Sequence, residues 1–151
     1  MTAPANARPA ILVRRIPFAF DEAIDPVWHP ARPEWSHMVN GASLAMPFLE
    51  PFLIKTVTEA LKQVSDPALK ADVQGFIGQE GVHYQSHRRY NDILKRHYPE
   101  LAEVESAMDA DYRRFQKYDL KWRLAYTAGF ETMTMGITEW LIRSRSQLFA
   151  G

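Results

Sequence analysis

The chain has 151 residues, 46% of them hydrophobic, and its 18 lysine and arginine residues equal its 18 aspartate and glutamate residues in number. This length and composition predict one globular domain that buries a substantial core. The neutral charge balance argues against a nucleic-acid partner, because binding to a phosphate backbone relies on an excess of basic side chains. The sequence contains no cysteine, which excludes thiolate metal ligands and cysteine nucleophiles and favours a cytoplasmic location.

The first 36 residues predict an extended arm rather than a helix. They contain six of the ten prolines, and their one short apolar run, at residues 10–13, is too short for a signal peptide. Apolar side chains spread along this segment indicate that it packs on the rest of the protein: Ile11, Val13, Ile16, Phe18, Phe20, Trp28 and Trp35. We therefore divide the chain into an arm at residues 1–36 and a single helical bundle domain at residues 37–151.

The remainder of the sequence predicts four helices, at about residues 43–64, 67–97, 99–117 and 120–149. Pro67 and Pro99 occupy positions typical of a first helical turn, and Asp66 is a candidate N-cap. No stretch is long and apolar enough for a membrane span. The predicted fold class is therefore all-α.

The first predicted helix places a carboxylate among apolar side chains. At helical spacing, Glu50 shares one face with Met46 and Leu53, so it is predicted to face the core. Two alternatives remain open. A shift of one residue would move Glu50 to the solvent, and Pro51 suggests that the helix begins late or kinks there.

The second predicted helix carries ionisable residues in the middle of its core-facing seam. The seam consists of Leu69, Val73, Phe76, Glu80, His83, His87, Tyr90 and Leu94. Burying a carboxylate costs several kcal/mol unless a positive charge compensates it, and the seam contains no lysine or arginine. A divalent cation bound by Glu80 and His83 would provide that charge. His87 is either a further ligand or a residue that hydrogen-bonds a carbonyl or orients a ligand.

Three glycines in step on this helix, Gly75, Gly78 and Gly81, predict a close approach, since each costs about 1 kcal/mol relative to alanine in a helix interior. The approaching group is either a neighbouring helix or a backbone or substrate near Glu80. The other histidines, His29, His37 and His97, are predicted to be ordinary surface residues.

The third predicted helix has a wholly apolar seam and is assigned a structural role. The seam of the fourth consists of Leu124, Ala128, Glu131, Met135, Thr138 and Ile142. Glu131 is therefore a candidate ligand, unless it pairs with an arginine such as Arg88 or Arg123.

The segment FIGQEGVHYQSHRRYNDIL, preceded by PFLEPF around Glu50 and followed by Glu131, resembles the bacterial family of predicted metal-dependent hydrolases with a ferritin-like helical fold. The resemblance implies a ferritin-like bundle in which Glu50 and the Glu80/His83 pair form one half of a metal site and Glu131 begins the other half. Thr134 stands where that second half would need a histidine. Three alternatives follow: a second copy of the chain completes the site, making a homo-oligomer, a missing C-terminal region completes it, or the metal site is incomplete.

These observations lead to one preferred function and two alternatives. We predict a metal-dependent hydrolase that uses a metal-bound water to attack a small-molecule substrate, with iron, manganese or zinc as the divalent metal. The candidate ligands are Glu50, Glu80, His83, His87 and Glu131. One alternative is a di-iron or di-manganese protein of redox or oxygen chemistry, and the other is a non-catalytic helical scaffold or regulator.

Overall fold

The computed structural model describes residues 10–21 and 23–149. Within those residues the regular structure consists of four α-helices and no strand, so the predicted all-α class is confirmed. The helices are α1 (Pro33–Leu61), α2 (Pro67–His97), α3 (Leu101–Phe115) and α4 (Leu120–Leu148). None of them is long and apolar enough to cross a membrane. The ferritin-like arrangement stays a prediction.

Helix α1 begins at Pro33, ten residues before residue 43, so the predicted start was wrong. Pro33 occupies the first turn, where its missing N–H is not needed, and Glu34 places a negative charge beside the positive end of the helix dipole. Residues 33–36, which we assigned to the arm, are thus helical. The helix also continues through Pro47 and Pro51, so it does not begin late at Pro51.

The core is centred on α1, which packs against each of the other three helices. Leu49, Phe52 and Leu53 of α1 are buried at its middle. Around them lie mainly aromatic side chains from α2, α3 and α4: Phe76, Tyr112, Phe115, Tyr126 and Phe130. This core holds the central turns of α1 in place, and Glu50 lies within those turns.

The arm crosses α2 at two of the three glycines. A Cβ atom on Gly75 would lie 2.8 Å from the carbonyl oxygen of Ile11, and one on Gly78 would lie 2.5 Å from Cγ2 of Val13. No described atom lies within 4 Å of the corresponding position on Gly81. The close approach predicted from these glycines is therefore made by the arm, not by a neighbouring helix.

The second half of the arm packs on the end of α4. Rings from the arm and α1 contact rings at the C-terminal end of α4: Trp28 and Trp35 against Trp140 and Phe149. His29 is buried beside them, with its Nε2 3.0 Å from the carbonyl oxygen of Leu148. The prediction that His29 is a surface residue was wrong.

The seam predicted to face the core on α4 is instead exposed in this chain. Met135 is 71% exposed and Ile142 is 57% exposed, whereas the buried residues of α4 lie on another face and include Arg123. Arg123 donates a hydrogen bond of 2.6 Å to Glu59, and Arg88 lies over the ring of Tyr84. Neither arginine therefore forms the predicted alternative pair with Glu131.

Candidate metal centre

Three of the five predicted ligands meet between α1 and α2. One ligand atom from each of Glu50, His83 and His87 lies within 4.8 Å of the others. The two histidines are four residues apart, which places them one turn apart on the same face of α2. His83 lies between the other two, with its Nδ1 2.8 Å from Oε1 of Glu50 and its Nε2 3.1 Å from Nε2 of His87.

The Glu50 carboxylate is deeply buried and only half satisfied. It is 2% exposed, and its Oε2 has no hydrogen-bond partner anywhere in residues 10–21 and 23–149. Burial raises the pKa of this carboxyl to about 7, and the neighbouring charges of Glu80 and Glu131 act in the same direction. A buried carboxylate oxygen without a donor is costly, and a bound cation would satisfy it.

His83 holds two protons in this arrangement, because each of its ring nitrogens faces an acceptor. Its hydrogen bond to Glu50 is the main reason that its pKa rises to about 10, and Glu80 adds to the effect. The side chain is 57% exposed, so the prediction that it lies inside the core was wrong. It lies instead at the surface opening of the group, where a metal ion would compete with its protons.

His87 presents an unprotonated nitrogen to this group. The hydroxyl of Ser43 donates a hydrogen bond of 2.7 Å to Oδ1 of Asn91, so it must accept the 2.8 Å bond from Nδ1 of His87. The proton of the neutral ring is thereby fixed on Nδ1, and Nε2 keeps its lone pair. Burial, aided by the positive charge of His83, lowers the pKa of His87 to about 4 and keeps the ring neutral.

A proline in α1 supports this orientation. Pro47 lacks the N–H that would bond the carbonyl of Ser43, four residues earlier in the helix. Asn91 uses that carbonyl, since its Nδ2 donates a hydrogen bond of 3.1 Å to it. Sequence reasoning missed both Ser43 and Asn91. The available signal was a buried helix with a proline four residues after a serine.

The two remaining candidate ligands lie near the group but outside its closest contacts. Oε2 of Glu80 is 3.8 Å from Nδ1 of His83. Glu131 of α4 is half-buried, and burial together with the charge of Glu80 raises its pKa. Thr134, one turn further along α4, donates its hydroxyl to the backbone of its own helix at Phe130 and Glu131.

The chemistry of these side chains fits a divalent cation. Two imidazole nitrogens and one carboxylate oxygen form a donor set that proteins use for zinc and for non-haem Fe(II). Glu80 and Glu131 add oxygen donors of the kind that iron and manganese also accept. The unpaired oxygen of Glu50 supports the same conclusion. The group can therefore hold a metal, although the donor set does not select one element.

Comparison with known families agrees with this chemistry. A sequence model of the family described as predicted metal-dependent hydrolases matches residues 12–151. Neither a curated protein nor a solved structure shows significant similarity to the chain. The matched segment contains all four helices and every residue of the candidate metal-binding group. The chain therefore belongs to the family of predicted metal-dependent hydrolases.

Proposed function

We propose that the protein is a hydrolase whose divalent cation is held by Glu50, His83 and His87, with Glu80 and Glu131 as additional carboxylates. The observation that carries the proposal is the Glu50 carboxylate, which is 2% exposed, faces His83 with one oxygen and leaves the other without a described partner. The family assignment supports the reaction class. A cation bound there would lower the pKa of a water molecule towards neutrality and polarise the bond to be cleaved.

The chain's own residues divide the remaining tasks. Ser43 and Asn91 hold His87 in the tautomer that a metal requires. Glu80 lies beside the exposed His83 and is our candidate for the general base that accepts a proton from the attacking water. Glu131 has a raised pKa, which brings a carboxylate closer to the neutral range in which a base works best.

The hydrogen bonds within this group also fit the alternative of a non-catalytic helical scaffold. Without a metal, a continuous chain of hydrogen bonds joins five side chains: Glu50, His83, His87, Ser43 and Asn91. Such networks also occur as purely structural features. The unpaired Oε2 of Glu50 argues against that alternative, because a network that serves only stability is expected to satisfy its most buried acceptor.

The exposed face of α4 leads us to propose that the active form is a homo-oligomer. Met135 and Ile142 lie exposed on the same surface region as Glu131. Exposed apolar faces of this kind mark interaction surfaces. A second copy is our chosen partner, because it would bring a second Glu80/His83 pair to a site that has only one in each chain.

Hydrolysis by reconstituted protein tests the proposal. Protein stripped with a chelator is reloaded with Zn²⁺, Mn²⁺ or Fe²⁺ and assayed on carboxylic esters, amides and phosphoesters. We expect activity only after reloading, complete loss in Glu50→Gln, and a lower kcat in Glu80→Gln. Glu103→Gln, at an exposed glutamate of α3, is the matched control and should retain activity. Full activity in the presence of chelator, or in Glu50→Gln, would contradict the proposal.

A further inference from the structure

A cleft of about 300 Å³ lies between the arm and α2, beside the candidate metal centre. The arm lines one side of it with Arg14, Ile16 and Phe18, and α2 lines the other with Glu80, His83 and Ser86. The exposed part of His83 therefore opens into this cleft. A cavity of this size is at the small end of ligand-binding sites, which indicates a small molecule.

The arm residues that line the cleft are held in a fixed position. Ile11 and Val13, just before them, pack on the backbone of α2 at Gly75 and Gly78. The backbone N–H of Arg14 donates a hydrogen bond of 2.9 Å to Oε1 of Gln79. Because this part of the arm is already ordered, ligand binding does not incur the entropic cost of immobilising a flexible segment.

The two sides of the cleft differ in charge. Glu80 lies on the α2 side, with the buried carboxylate of Glu50 bonded to His83 behind it. On the arm side, Arg14 has no ion-pair partner in the described part of the chain, and it stands beside the partly exposed side chains of Ile16 and Phe18. The positive charge of His83 on the α2 side is offset by Glu50 and Glu80, which lie against its ring, whereas the charge of Arg14 is not offset, so an anionic group is attracted to Arg14.

We infer that this cleft binds the substrate, and that the substrate is a small carboxylate with an apolar body. The planar guanidinium of Arg14 pairs with the carboxylate, for which its geometry is well suited. Ile16 and Phe18 contact the apolar body, and the bond to be cleaved faces Glu80 and His83. This inference rests on the proposed function for the reaction, and it adds the class of substrate.

Binding of hexanoate, compared with its neutral analogue hexanamide, tests the inference without any turnover. Titration calorimetry on the whole chain is done in the presence of chelator, so that the carboxylate has no metal to bind. We expect hexanoate to bind about tenfold more tightly than hexanamide, which corresponds to one charge-assisted pair. Arg14→Gln should abolish that preference. Arg15→Gln, at the adjacent arginine that does not line the cleft, should retain it.

A second variant tests the apolar wall. Phe18→Ala should weaken hexanoate and hexanamide equally, and because Phe18 is 54% exposed the variant should fold. Equal affinities of the wild type for the two probes, or equal effects of Arg14→Gln and Arg15→Gln, would overturn the inference. Metal uptake is measured separately on the same protein, so a failure of the proposed function would appear there and not in the probe titrations.

Discussion

Metal binding should release protons in a pattern set by three side chains. His83, with its pKa raised to about 10 by Glu50, must lose a proton to bind a cation at neutral pH. Glu50, with its pKa raised to about 7 by burial, must lose another below pH 7. His87, with its pKa lowered to about 4, is already free of its extra proton above pH 5. We therefore expect about one proton released per metal at pH 8 and about two at pH 6.

These pKa values also determine how steeply the metal affinity depends on pH. Each proton released changes the apparent dissociation constant about tenfold per pH unit. Affinity should therefore rise about thousandfold from pH 6 to pH 8, and its slope should become shallower above pH 7 as Glu50 ionises. The sign follows from both raised pKa values, because each proton competes with the metal until the pH exceeds that pKa.

Calorimetric titration with Zn²⁺ in two buffers of different ionisation enthalpy counts these protons directly. His83→Gln should remove one proton from the count at pH 8. His97→Gln, at an exposed histidine of the same helix, should leave it unchanged. An affinity that is constant between pH 6 and pH 8, or a wild-type count near zero at pH 8, would refute the reasoning, since the latter is the behaviour of an ordinary histidine.

Further variants test other parts of the structure. Ser43→Ala should weaken metal affinity about 10- to 100-fold by equilibrium dialysis, because an acceptor that orients a ligand is lost, whereas exposed Ser106→Ala should have no effect. Gly75→Ala should lower the melting temperature and speed tryptic cleavage of the arm, because the added methyl would meet the arm's backbone. Gly81→Ala, without such a contact, should raise the melting temperature, because alanine favours a helix interior by up to about 1 kcal/mol relative to glycine. Light scattering should show a dimer or larger species that Met135→Lys converts to monomer, and a monomeric wild type at tens of micromolar would contradict self-association.

Local patterns predicted the fold class and the shared helix face and burial of several candidate site residues. The spacing of Glu80, His83 and His87 on one seam indicated that they share a face, and the structure places them on one side of α2. Glu50 followed from its position among apolar neighbours, and it is buried as expected. These predictions succeeded because helical periodicity is a local property of the sequence.

Other features depended on contacts that local patterns do not contain. The contact between Ser43 and Asn91 was missed because the two residues lie 48 positions apart in the sequence, on different helices. It also uses the backbone carbonyl of Ser43, which Pro47 leaves without its usual helical hydrogen bond. The seam of α4 has the right period but is exposed, since periodicity identifies a face without identifying what covers it. The early start of α1 was missed because the prolines of the arm outweighed the signal of Pro33 as a first-turn residue.

The most direct test of the account is the metal content of the protein purified without chelator. Elemental analysis should find at least one iron, manganese or zinc ion per chain in the wild type, and an equal amount in the control Glu103→Gln. Glu50→Gln keeps the shape of the side chain but removes the buried negative charge, so it should lose the metal. A wild type without metal, or a Glu50→Gln variant that keeps its full complement, would contradict the central claim that the Glu50, His83 and His87 group is a metal centre.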